Sequence, residues 1–115
     1  MSKTPTTPTA KMALKATTLD GGSPVHAHGW DLPTQGVDGT WTAGKWSRVA
    51  GLVRYRGNGL HICQVDQLAY WYGHLRGRKM VTWVCEYTGH TDIGAHGFAA
   101  RRVRLLRPWT GETLD

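Results

Sequence analysis

The residues most able to do chemistry in this 115-residue chain are a histidine and a cysteine two apart in GLHICQ, His61 and Cys63. With the pair HAH (His26, His28), Cys85 and His90 they offer nitrogen and sulfur donors, the ligands zinc prefers. Zinc sites announce themselves by repeated short spacings such as C-x-x-C with H-x-x-x-H, and only two two-residue steps occur here. The expectation is therefore no metal and no cofactor. A Cys/His nucleophile needs its base within hydrogen-bond reach in an open cleft, and alternate positions of one strand are a poor geometry for that. The simpler reading makes Cys63 a core-lining thiol beside a hydrogen-bonded histidine. A third constellation, His61, Tyr70 or Tyr72, and Glu86, imitates the His-Tyr-Glu set of an ADP-ribosyltransferase. Glu86 is the only glutamate before the last four residues, so this enzyme reading stands or falls on one side chain.

The arginines form a different kind of pattern. Formal net charge is +6, and nine of the fourteen basic residues are arginine, the fork-shaped donor suited to phosphate and carboxylate. Arg54 and Arg56 alternate in LVRYR, Arg102 and Arg104 alternate in RRVRLL, and Arg76, Arg78 and Lys79 cluster between them in HLRGRK. Alternation along strands collects charge on one sheet face, which makes a polyanion the first partner to expect. No helix-turn-helix, zinc-finger or RNP-type motif accompanies it, so base-specific reading is not expected.

The elements that must position these residues follow from periodicity. The first stretch, MSKTPTTPTAKMALKATT, is rich in Thr, Pro and Lys without an apolar period and reads as an extended arm over residues 1–20. A single α+β domain is expected over 21–115. It opens with a Gly/Pro/Asp-rich loop pinned by Trp30 and Trp41. Strands are expected at Trp46–Val49, at 52–56, with Leu52, Arg54 and Arg56 on one face, and at GLHIC. QVDQLAYWYG changes to helical spacing and stops at Gly73. KMVTWVCEYTG is a strong strand, with Val81, Trp83, Cys85 and Tyr87 on one side and Met80, Thr82, Val84 and Glu86 on the other. GHTDIGAHG then reads as loop and FAARRVRLLRPW as a last strand ended by Pro108. The sum is a mostly antiparallel sheet with one short helix on one face. Cys63 and Cys85 fall on separate strands and are expected as buried free thiols. With no signal peptide or long apolar run, a soluble chain with no membrane partner is expected.

Taken together, a Trp-containing Gly/Pro loop, GLHICQ followed by DQLAYW, WVCEYTG, and the closing AARRVRLLRPW resemble a family of short actinobacterial and actinophage proteins defined by a domain of unknown function. The similarity spans roughly Trp30 to Trp109. The longer Thr/Pro arm and the basic HLRGRK depart from the family pattern. The resemblance implies the same fold outline and a phage or actinobacterial setting, in host cytoplasm or virion, without implying an activity. The expected function is that of a non-enzymatic, basic accessory protein that engages nucleic acid through Arg54, Arg56, Arg76, Arg78, Lys79, Arg102 and Arg104. The alternative is a capsid or tail component that docks on a protein assembly through its arm.

Overall fold

The computed structural model describes residues 11–22, 29–72 and 79–114. Seven strands and one short helix follow one another: β1 Lys11–Thr18, β2 Thr34–Gln35, β3 Trp41–Thr42, β4 Ser47–Arg48, β5 Leu60–Ile62, a 3-10 turn Val65–Gln67 leading into α1 Leu68–Tyr72, β6 Met80–Ile93, and β7 Phe98–Pro108. The α+β class and antiparallel sheet expected from periodicity are present. β6 and β7 form the long central hairpin. β1 lies against β6, while β4 and β5 share the far edge of β7, each taking a different part of its length.

Just beyond β5 the chain meets β1 again. Leu14 and Cys63 exchange both backbone hydrogen bonds, at 2.8 and 2.9 Å, so the sheet curls through β1, β6, β7 and β5 and closes on itself at one point. Closure gives it an inside and an outside. The inside is filled by Ala13, Trp30, Leu60, Ile62, Trp83, Cys85, Val103 and Leu105. On the outside, α1 and the C-terminal segment cover Leu14, Ala16, Cys63 and Val84 with Leu68, Trp71 and Trp109. The two sides of β6 match the alternation in its sequence, since a strand sends successive side chains to opposite faces.

Four boundaries differ from the sequence reading, each for a physical reason. The second half of the extended arm is β1, eight residues paired in register with β6 from Lys11 opposite Tyr87 to Thr18 opposite Met80. Ala13 to Thr17 are all buried because one face of β1 lines the inside and the other lies under α1. A strand buried on both faces has no period of two to detect. The 52–56 segment is not a strand. It is a loop ending in a tight turn, in which Arg54 and Asn58 bond across 2.7 Å and Arg56 takes a left-handed φ of 64°. β6 runs on through His90 to Ile93, past a bulge between Thr88 and Thr91 that absorbs the glycine. Finally, GVDG caps a small β2–β3 hairpin within the Gly-rich loop, and Trp41 of that hairpin meets Trp83 edge-on at 6.3 Å.

Candidate functional site

Arg102 and Arg104 stand two apart on β7, and their neighbours Val103 and Leu105 are fully buried inside, so the arginines point out. The chain entering β4 is held by Gly44 N–H donating to Leu105 O and by Lys45 N–H donating to the Asp31 carboxylate. That anchorage lays Trp46 over the arginines. Its indole ring has the Arg102 guanidinium at 4.3 Å and the Arg104 guanidinium at 4.9 Å. Arg48 completes the group, since its position on β4 pairs with Arg102 across the sheet. A guanidinium stacked on a ring keeps its N–H edges available, which suits it to phosphate.

Arg104 has a second task. Its Nε and Nη2 both donate to Oε2 of Glu86 at 3.1 Å. Glu86 is only 3 % exposed, and its other oxygen, Oε1, is buried without a hydrogen-bond partner. Arg101 turns elsewhere and donates to Val49 O, while Arg107 pairs with Glu112. Arg54 and Arg56 lie on the 54–58 turn rather than on a face shared by strand residues, so the strand-alternation argument does not apply to them. Lys79 is exposed immediately before β6. Arg76 and Arg78 lie outside the described residues, as do His26 and His28.

His61 and Cys63 have structural tasks. His61 is 4 % exposed; its Nε2 accepts the Arg56 backbone N–H at 2.7 Å and its Nδ1 lies 3.2 Å from Gly59 O. Those two contacts assign the neutral tautomer with hydrogen on Nδ1. Cys63 is packed under α1, and burial pushes its thiol up to about 12. Burial raises the Cys85 thiol as well. The two cysteines flank β1, opposite Leu14 and Ala13 respectively, so a strand separates them; both are free. Among the described residues no group of three or more His, Cys, Asp or Glu side chains could hold a metal ion.

The His-Tyr-Glu set is dispersed among other partners. His61 receives Arg56, Glu86 holds Arg104, the Tyr72 hydroxyl bonds Thr82 Oγ1, and the Tyr70 ring stacks on His96 at 3.8 Å.

One residue that sequence reasoning passed over is Lys15, in the middle of β1 and only 4 % exposed. Two residues beyond the Leu14–Cys63 bridge, antiparallel register would pair Ala16 with His61, but the ladder stops there. The Lys15 ammonium takes the His61 carbonyl instead, at 2.8 Å, and lies 5.4 and 5.9 Å from the Trp30 and Trp71 ring centres. Leu14, Ala16, Cys63 and Trp71 line the gap, a cavity of about 10 Å³. That is close to the room one water needs, and too little for a substrate. Desolvation by burial lowers the lysine to about 8. The only signal in the sequence is a lysine set between small apolar residues in ALKA.

In comparisons with known proteins, no family model, curated protein or solved structure matches the chain. Among the described residues no helix is long and apolar enough to cross a membrane.

Proposed function

We propose that this protein is a small, non-enzymatic polyanion-binding module whose favoured partner is nucleic acid, met by Arg48, Arg102, Arg104 and Trp46. The observation that carries the reading is the stacking of two guanidiniums on one indole, beside a third arginine in register, on a chain of net charge +6. Alternate residues of a strand stand about 6.6 Å apart, a spacing comparable to that of successive phosphates on one nucleic-acid strand. The ring fixes the guanidiniums before contact, which reduces the side-chain ordering that binding otherwise costs. Nothing in this arrangement reads base edges, so recognition is expected to be largely independent of sequence. The setting we infer is that of the family resemblance, a phage or actinobacterial protein at work in host cytoplasm or in the virion.

The test is a salt titration of binding to duplex DNA and to single-stranded RNA, followed by gel shift and by intrinsic tryptophan fluorescence. Phosphate contacts by Arg48 and Arg102, the two arginines of the group not held by Glu86, give a log-log slope of about −2 on duplex. Arg48→Glu with Arg102→Glu should weaken every sequence alike and leave the fold intact. Arg104 is left in place in that variant, because reversing it would set two carboxylates together at Glu86. Binding by the parent that ignores salt, or a double variant that binds like the parent, would overturn the proposal.

A further inference from the structure

The turn that carries Arg54 and Arg56 is fastened at separate points. Within the turn, Arg54 N–H donates to Asn58 O at 2.7 Å and Gly57 N–H donates to Arg54 O at 3.0 Å. To β6 it is tied by Tyr55 N–H, which donates to the Asp92 carboxylate at 2.6 Å. To β5 it is tied by Arg56 N–H, which donates to Nε2 of His61 at 2.7 Å. The Tyr55 ring seats over Gly94, where a Cβ would come within 1.9 Å of it, and lies 5.5 Å from the His61 ring. Arg56 is the one described non-glycine residue in the left-handed region, a conformation an arginine adopts only when its surroundings hold it there.

The tie to His61 differs from the others in kind. Backbone N–H groups are donors at every pH, so Nε2 must present a lone pair, and with Nδ1–H directed at Gly59 O the ring has one competent state, the neutral one. Protonation puts a second hydrogen on Nε2, facing the Arg56 N–H across a distance that admits only one. We propose that His61 is an acid-sensitive latch: its protonation detaches Arg56 from β5 and frees the turn bearing Arg54 and Arg56 at the end held by the imidazole.

Among the described residues, groups of the turn, β1, β6 and β7 lie about His61. The Arg56 N–H aimed at Nε2 opposes a proton there in the closed state, while Lys15 of β1 meets His61 at its backbone carbonyl. Asp92 of β6 acts one step removed, through Tyr55 N–H, and the Tyr55 ring contributes its face. Ala99, the β7 residue in register with His61, is uncharged. Because the Nε2 lone pair is taken by the Arg56 N–H, the closed turn disfavours the proton that the open turn can accept, which is the condition for acid to favour opening. The Asp92 tie leaves Tyr55 fastened, so the opening is local to Arg56 and its C-terminal neighbours.

The experiment is amide hydrogen exchange on the full chain, with rates corrected for intrinsic pH dependence, together with nitrogen-15 shifts of the His61 ring. At neutral pH the ring is expected as the Nδ1–H tautomer. If the open turn titrates like an ordinary histidine, protection of the Arg56 amide falls about tenfold between pH 7.5 and 5.5 while Val84 and Leu105 keep theirs. His61→Gln carries an acceptor close to the Nε2 position that does not titrate, and its Arg56 protection is expected to be flat over the same range. An Nε2–H tautomer at neutral pH overturns the inference, as does Arg56 protection in the wild type that is unchanged on acidification. Both readings are made on the wild type, so they hold even if the glutamine variant fails to fold, and neither depends on nucleic-acid binding.

Discussion

Lys15 and Glu86 are both charged residues buried on β strands, yet the chain handles them in opposite ways. The Lys15 ammonium, inside the curled sheet, is met by a carbonyl and by indole faces. The Glu86 carboxylate, on the outer side, is met by a full guanidinium charge that is itself partly exposed and backed by Trp46. Dipoles and ring faces replace only part of the hydration lost on burial, so the lysine holds its proton less tightly, at about 8. An opposite charge tied by two hydrogen bonds answers burial more fully, at the cost of making each partner dependent on the other. The difference teaches where the molecule tolerates change: removing one member of the outer pair strands a buried charge, whereas removing the inner one takes away a group that burial holds below its ordinary pKa.

The largest effect that would break this contrast is expected at the outer pair. Arg104→Met leaves Glu86 buried without its guanidinium and should cost about 3 kcal/mol in urea unfolding. Adding Glu86→Gln to that variant should restore most of the loss. A single variant as stable as the wild type would show that the pair does not support the fold.

Lys15→Met gives a smaller effect of opposite sign, and pH sharpens it. The folded pKa of about 8 lies below the ordinary 10.5, so between those values the unfolded chain binds more protons and stability rises with pH. The methionine variant lacks that term and starts out more stable, and its advantage over the wild type should shrink by about 1 kcal/mol between pH 7 and pH 9. Only the difference between the two proteins is informative there. The thiols act in both and with the reverse sign, because Cys63 is raised from 9.0 to about 12 and the unfolded thiols ionise first. An advantage that stays constant with pH would mean that Lys15 is not the titrating group.

The smallest effect belongs to Arg102, which lies on the same ring as Arg104 and forms no ion pair among the described residues. Arg102→Gln should change stability by no more than about 0.5 kcal/mol while lowering polyanion affinity. A loss as large as that of Arg104→Met would show that the indole contact, rather than Glu86, makes these arginines structural.

How much of this was legible in the residues depends on the range of the interaction. Alternation in MVTWVCEYT and RRVRLL assigned the inward and outward sides of β6 and β7, and with them the outward direction of Arg102 and Arg104, because side-chain direction in a strand follows from the local backbone. The helical spacing of QVDQLAYW and the glycine-rich breaks were equally local. What alternation could not convey was which outward arginine would find a carboxylate, since Glu86 and Arg104 meet only through the β6–β7 register. Nor did it show that LVRYR would become a loop and turn: its alternation is genuine, but no neighbouring strand takes up its backbone, while His61 and Asp92 capture two of its N–H groups.

The sequence by itself therefore determined the class of fold, the two long strands with their faces, the basic surplus, and the burial of both thiols. The tertiary structure alone decided that residues 11–18 are a core strand, that Lys15 stands where the closing ladder breaks, and that His61 holds a turn. The reason is that these depend on the ring closing between Leu14 and Cys63, a contact between segments 49 positions apart. Closure covers both faces of β1, and a strand covered on both faces carries no alternation by which its residues could reveal it.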